Sequence, residues 1–285
     1  MTNFIPIRLL TALPMVVNAT LNVGWFFYKG KDYDAFFVVN ENQTAENFAF
    51  NAHTRRGPGI IQRTSSSHNL AFPDLEGALP VTKVKGTVYS IGFPLDVLHN
   101  WYTRIAESLY TAGHVDSING FPPAGIQPGD LVTITQTSGD TYTTNFRDET
   151  IEFRRRSMDL QYLKPGLFEY DEPVAPHLKL SVYVRYDETR RDVARGSVGV
   201  LVACDGRPTS RFHFRLVQDD NDKPYQRYNV ESAGRGTFDQ FRQMVKYVCP
   251  TKHLKPVDFT NVVIASGRTI YVPFEGGRMA LTRVK

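Results

Sequence analysis

The chain has 285 residues, of which 41% are hydrophobic, and 33 Lys and Arg against 29 Asp and Glu give it a formal net charge of +4. This length suffices for one large β domain or two ordinary domains, and no apolar run reaches the roughly 18 residues of a membrane-spanning helix. Basic and acidic residues are mixed along the chain, which is not the massed charge of a dedicated nucleic-acid reader.

The two cysteines, Cys204 and Cys249, occur without a CxxC pair and without a Cys/His cluster at zinc spacing. We therefore expect no disulfide framework, no structural zinc and a reducing compartment. Residues 1–20 have Arg8 as their only charge, and two prolines interrupt their apolar run. This pattern is not that of a signal peptide, so we expect no targeting segment.

Alternating apolar residues predict a long half-buried strand over 15–27, the clearest period of two in the protein. The face that this pattern assigns to the core carries Met15, Val17, Ala19, Leu21, Val23, Trp25 and Phe27. Strand composition, bounded by Gly, Pro, Asn and Asp, recurs along the rest of the chain. The further predicted strands are 35–39, 131–135, 141–146, 178–186, the two arms of 196–218, 225–230, 259–265, 269–274 and 279–283.

Two segments among these strands are predicted to be helices. The first, 94–113, begins with a proline at a favoured first-turn position and carries an apolar stripe at helical spacing. The second, 237–248, has Thr237 and Gln240 at capping-box spacing and ends just before a proline. Both stripes indicate packing against the core rather than a ligand site.

The connections 51–80 and 114–130 are long, and loops of that size in a compact domain are typical of functional or interfacial segments. No repeat at a solenoid or propeller period is visible, and no low-complexity linker divides the chain. We therefore predict one all-β domain, a jelly-roll β-sandwich with two short helices in its connecting segments. Its expected organisation is an N-terminal arm over 1–14, a jelly-roll domain over 15–275 and a C-terminal arm over 276–285.

The segment 196–218 places Cys204 a few residues before His213, which raises the question of a nucleophile and its base. The apolar residues of its two arms share one face when Val202 lies opposite Phe212, with a turn between the arms. In that register His213 points away from Cys204. We therefore interpret the segment as a hairpin with a buried structural cysteine.

Two clusters of acidic residues are candidates for other chemistry. The loop 219–222, "DDND", offers oxygen ligands for calcium but lacks the spacing, the glycine and the closing glutamate of an EF-hand. The segment 146–156 places three carboxylates near three arginines, and charge complementarity along an exposed strand explains it without a glycosidase pair. We predict no catalytic residue, no cofactor site, no metal site and no enzyme activity.

Arginines are the candidates for contact with RNA or another anion, because they would neutralise phosphates while aromatic residues supply stacking surfaces. The predicted contact residues are Arg154, Arg155, Arg156, Arg55 and Arg56, and Arg190 and Arg191 are further basic residues of the same kind. No RNP-like strand motif, KH loop or zinc finger accompanies them. We expect nonspecific contact with packaged nucleic acid rather than recognition of a sequence.

Over almost its whole length the chain resembles a capsid subunit of the picorna-like viruses. The likeness is carried by the strand series from Met15 to Arg283, by the helices "LDVLHNWYTRIAESLY" and "TFDQFRQMVKYV", and by proline-rich connections such as "NGFPPAGIQPGD". An initiating Met1 would suit the first capsid protein of a separate reading frame, as in insect viruses similar to Nora virus. The resemblance is one of architecture rather than of a diagnostic motif.

The resemblance implies a non-enzymatic structural protein of an icosahedral shell, assembled with copies of itself and with sister jelly-roll subunits around an RNA genome. It also implies location in the virion, and in the host cytoplasm during assembly, with a host receptor as a further partner and no membrane span. It implies no catalytic residues.

Two other functions remain open from the residues. A carbohydrate-binding β-sandwich would use Trp25, Tyr28 or Tyr183 as a sugar platform and "DDND" for calcium, although the position of Trp25 on the apolar face of its strand favours the core. A hydrolase would use Cys204 or the carboxylates.

Overall fold

A computed structural model describes residues 21–54, 70–71, 78–119, 123–156, 163–186, 195–219, 224–233 and 236–284. These residues form two antiparallel nine-stranded sheets with two α-helices. None of the described helices is both long and apolar enough to cross a bilayer.

The first sheet lies in the N-terminal half of the chain. Its elements are β1 (Gly24–Lys29), β2 (Tyr33–Val39), β3 (Thr44–Ala52), β4 (Leu70–Ala71), β5 (Leu79–Lys85), β6 (Val88–Ile91), α1 (Leu95–Thr111), the 3-10 turn Pro123–Gly125, β7 (Thr133–Gln136), β8 (Thr141–Phe146) and β9 (Glu149–Arg155). The strand order is β2-β1-β9-β8-β7-β6-β5-β3-β4, and pairing of β2 with β3 closes the sheet into a barrel.

The second sheet has the same construction. Its elements are β10 (Gly166–Asp171), β11 (Lys179–Tyr186), β12 (Arg195–Cys204), β13 (Arg207–Pro208), β14 (Phe212–Gln218), β15 (Arg227–Ser232), α2 (Phe238–Val248), β16 (Asn261–Ile264), β17 (Thr269–Phe274) and β18 (Gly277–Arg283). The order β11-β10-β18-β17-β16-β15-β14-β12-β13, with β11 paired to β12, repeats the first order strand for strand.

The two barrels also repeat a buried turn in detail. Asp130 accepts hydrogen bonds from the backbone N–H groups of Gln127 and Arg147, both at 2.8 Å. Asp258 accepts them from Lys255 at 2.6 Å and from Glu275 at 2.9 Å, the corresponding positions of the second barrel. The residue after each aspartate has a positive φ, 59° in the first barrel and 62° in the second. The chain is therefore an internal duplication of one barrel.

Each barrel encloses a hydrophobic core of its own. In the first, α1 packs Trp101, Ile105 and Leu109 into the core, and in the second α2 does the same with Phe241 and Val245. Each helix contributes its apolar stripe to the core of its own barrel, as its spacing indicates. Both predicted helices are confirmed, and the capping box of Thr237 and Gln240 is present.

The all-β class is confirmed, but the jelly-roll sandwich is not, because each sheet closes on itself instead of facing a second sheet. The range 15–275, expected to be one domain, contains two barrels, each with its own core. Residues 277–283, expected in a C-terminal arm, instead form β18, which pairs with both β17 and β10. Without β18 the ring of strand pairings would be open between β17 and β10. The expected N-terminal arm, 1–14, lies outside the described residues.

The predicted hairpin in 196–218 is formed by β12 and β14 with a different register. Phe212 lies opposite Val200 rather than Val202, a shift of two positions that keeps the same face buried. His213 is exposed opposite Gly199 and does not approach Cys204. Cys204 is buried, as expected, but it is bonded to Cys249 at the end of α2, so the expectation of no disulfide is wrong. The fold brings the two cysteines together across 45 residues of chain.

Candidate functional site

The outer surface of the first barrel carries aromatic side chains on β1. Phe26 is fully buried in the core, so its neighbours Trp25 and Phe27 lie on the opposite face of the strand, each half-buried. The predicted core face of 15–27 is therefore wrong for Trp25 and Phe27. Both faces of this strand are apolar, and period-two patterning cannot choose between two apolar faces.

Phe36 on β2 completes a group of three outward rings. β1 and β2 pair with Phe27 opposite Phe36. The ring centroids of Phe27 and Phe36 are 5.1 Å apart, those of Trp25 and Phe36 5.8 Å, and those of Trp25 and Phe27 6.4 Å. These are the separations of aromatic pairs in contact.

Two of the predicted arginines border these rings. Arg154 of β9 lies opposite Phe27 of β1, with its side chain 73% exposed and its Nε donating to Glu152 at 2.6 Å. The guanidinium of Arg156 lies 5.6 Å from the centroid of the Phe27 ring, within the range of a cation–π contact. We call the surface made by Trp25, Phe27, Phe36, Arg154 and Arg156 the arginine–aromatic face.

A groove of about 450 Å³ opens at one side of this face. It is lined by Phe27, Tyr28, Lys29, Glu152, Arg154, Arg156 and Pro224. Pro224 precedes β15, so the second barrel contributes one wall. The groove combines three cationic side chains and one carboxylate with aromatic surface, which suits an anionic ligand that also has flat apolar parts.

Arg155 is placed differently from its neighbours, because alternation along β9 turns it inward. It is 1% exposed, its Nε donates to Asp140 at 2.9 Å, and its Nη1 donates to the carbonyl of Val23 at 2.6 Å. Its guanidinium also lies 5.2 Å from the ring centroid of Tyr271 in the second barrel. In this structure Arg155 joins the two barrels and is not accessible to an anion.

The contact between the barrels is centred on Asp140. This carboxylate also accepts from Arg278, and from the hydroxyl of Tyr225 at 2.9 Å. Burial disfavours its charged form, but the hydrogen bond and charge of Arg278 and the charge of Arg155 outweigh burial and hold the pKa of Asp140 below its ordinary value. The network is a structural connection between the barrels.

Because the barrels are duplicates, each outer face has a counterpart for comparison. The contact with the first barrel uses Val263, Tyr271 and Ala280, which pack around Val23. The equivalent residues of the first barrel, placed by the same strand pairings, are Thr135, Thr143 and Glu152. The covered face is thus apolar and its uncovered counterpart polar, as expected for burial of apolar area.

For the arginine–aromatic face, the comparison gives the reverse result at two positions, where the first barrel has the apolar residues and the second barrel the polar ones. The positions of Phe27 and Phe36 are occupied in the second barrel by Glu169 and Ser181, which lie opposite each other on β10 and β11. Ser181 donates to Glu169 at 2.8 Å, and Lys179 lies 3.2 Å from the same carboxylate. At these two positions the first barrel is apolar where the second is polar, whereas the position of Trp25 is occupied by the apolar Leu167 in the second barrel.

The remaining predicted site residues do not converge on this face. Arg55, Arg56, Arg190 and Arg191 lie outside the described residues. Tyr28 packs against Tyr33 with ring centroids 5.2 Å apart, and Tyr183 belongs to the second barrel, where Arg185 covers its ring at 4.6 Å. The three aromatic residues considered as alternatives for a sugar platform therefore do not form one surface.

The acidic loop 219–222, weighed above as a calcium candidate, is described only at Asp219, which pairs with Arg227 at 3.4 Å, while 220–222 lie outside the described residues. Within the described ranges no group of three or more His, Cys, Asp or Glu side chains is placed to hold a metal ion. A second groove, of about 590 Å³, lies on the polar counterpart face and is lined by five threonines of β7, β8 and β9 together with residues 127–130, Asn145 and Asp148. It carries neither an aromatic ring nor a cation.

Phe27 and Phe36 are the site residues that the sequence analysis missed. A signal for the duplication is present in the sequence. The segment "QPGDLV" recurs as "KPVDFT", and "TSGDT" recurs as "ASGRT" at the same distance along the chain. When the two halves of the sequence are aligned on these segments, each strand of one barrel is matched with its counterpart in the other. Comparison with protein-family models, curated proteins and solved structures found no match.

Proposed function

We propose that the protein is a non-enzymatic structural subunit of an RNA-containing viral shell, and that it contacts a partner through the arginine–aromatic face. The observation that carries this function is the difference between the duplicated barrels: Phe27 and Phe36 stand where the second barrel has Glu169 and Ser181. Two partly exposed phenylalanines at positions where the other copy is polar favour a surface that a partner covers.

Further support comes from the chemistry of the chain. The net charge of +4 and the exposed Arg154 suit contact with an anionic genome, and the resemblance to picorna-like capsid subunits supplies the context of a shell with sister subunits. The strand order lends no support to a jelly roll, so the function is proposed from the face. Location in the virion, and in the host cytoplasm during assembly, belongs to the same proposal.

Carbohydrate binding is the second candidate, and the outward position of Trp25 favours it. A half-buried, outward tryptophan beside Phe27 and Phe36 offers the flat apolar surface on which a sugar ring packs. The cations around the face distinguish the candidates, since a neutral glycan gains little from Arg154 and Arg156 whereas a polyanion gains much.

Sedimentation of the protein from its natural source, with negative-stain microscopy of the same fractions, tests the shell function. We expect this chain in large particles together with sister chains and RNase-protected RNA. A monomer free of RNA in that source overturns the proposal. Retention of that monomer on a glycan array, lost on Trp25→Ala, would assign the face to carbohydrate.

A further inference from the structure

We propose that the ligand of the arginine–aromatic face is single-stranded nucleic acid, with unpaired bases stacked on the outward rings and phosphates held by the cations of the groove. This inference rests on the proposed function for the presence of RNA. It adds the class of strand, the residues that hold it and the basis of selectivity.

The rings supply the surface for the bases. Trp25, Phe27 and Phe36 are half-buried, so their positions are fixed by packing while part of each ring faces outward. Every base has a π-face, so stacking on such rings tolerates any sequence and contributes about 1–3 kcal/mol per base. This agrees with the expectation of contact that does not recognise a sequence.

The cations lie where a backbone that follows the rings would pass. Arg154 and Phe27 are register partners on adjacent strands, and Arg156 lies against the Phe27 ring. Lys29 follows on the same strand as Phe27 and is exposed. Phosphates bound here would lie at the edge of a base stacked on Phe27, which is the arrangement of a single strand along a cationic groove.

One carboxylate opposes this ligand. Glu152 lines the groove and accepts a hydrogen bond from Arg154 at 2.6 Å. A phosphate must compete with Glu152 for Arg154, so binding should be weakened by this side chain and strengthened by its neutralisation. The counterpart in the second barrel, Ala280, has no charge and is covered by the first barrel.

Selectivity for unpaired strands follows from the shape of the face. The rings lie on the surface of a β-sheet, and a duplex keeps its bases stacked on each other and out of reach of such rings. A duplex would therefore contact only the cations, while a single strand would use both cations and rings.

Tryptophan fluorescence of the full chain tests the inference with a 12-nucleotide oligouridine and a duplex of equal length as probes. Of the two tryptophans, Trp25 lies on the face and Trp101 is buried in the first core, so a Trp101→Phe background isolates the signal of the face. We expect quenching by the single strand and little by the duplex. The variant Phe27→Ser/Phe36→Ser should weaken single-strand binding about 5-fold to 150-fold for each base that loses its stack.

The matched control is Tyr183→Ser, which removes an outward aromatic ring from the second barrel and should leave binding unchanged. Glu152→Gln should tighten binding severalfold. Glu169→Gln removes a carboxylate from the second barrel, at the counterpart position of Phe27, and should leave binding unchanged. Equal binding of duplex and single strand, absence of quenching, or unchanged affinity in the phenylalanine variant overturns the inference. RNA-containing particles alongside such a result would leave the proposed function standing, so the two failures are distinguishable.

Discussion

The disulfide between Cys204 and Cys249 allows a quantitative prediction for the second barrel. It ties the end of β12 to the C-terminus of α2 across a sequence separation of 45 residues. Closing a loop of that length in the unfolded chain corresponds to about 4 kcal/mol of stability by the chain-entropy relation. The double substitution Cys204→Ala/Cys249→Ala should therefore destabilise the second barrel by about that amount.

Urea unfolding followed by two probes measures this effect. Trp101 lies in the first core and reports on the first barrel, while hydrogen exchange of the β12 and β14 amides reports on the second. We expect the large loss of stability in the second barrel. The unfolding reported by Trp101 should change less, through the contact between the barrels at Asp140. Free thiols at both cysteines in the native protein, or a double variant within 0.5 kcal/mol of the parent, would refute the reasoning.

Two further predictions concern the carboxylates Asp258, Asp130 and Asp140. Asp258→Ala should lower the free energy of unfolding in urea more than Asp130→Ala does. Asp258 accepts hydrogen bonds from three backbone N–H groups, including that of Gly276 at 3.0 Å, whereas Asp130 accepts two. Equal losses of stability in the two variants would contradict this account. Since the pKa of Asp140 is lowered in the folded state, its contribution is present above the unfolded pKa of about 3.9 and is lost as pH falls through the folded value. Asp140→Asn should therefore flatten the acid limb of the stability profile below about pH 4, and an unchanged limb would count against the charge network.

The helices and most of the strands could be predicted from the sequence because their signals are local. The capping box of Thr237 and Gln240 and the apolar stripe of α1 need only neighbouring residues for their interpretation. The predicted strands 141–146 and 269–274 coincide with β8 and β17. The barrels were missed because closure is decided by pairings such as β1 with β9, which join residues far apart in the chain.

The site was predictable only in part. The run of three arginines indicated an anion contact, but alternation along β9 sends Arg154 outward and Arg155 into the contact between the barrels. No local pattern shows which of two apolar faces of β1 meets the core, so Trp25 was assigned inward. The duplication supplies a further comparison, since Glu169 of the second barrel occupies the position of Phe27.

Ultraviolet cross-linking of RNA in particles from the natural source, with the modified peptides mapped by mass spectrometry, tests the central claim most directly. We predict cross-links to peptides that contain Trp25, Phe27 and Phe36 and to the segment 154–156. Particles whose RNA cross-links only to peptides of the second barrel, or a source in which this chain carries no cross-linked RNA, would contradict it.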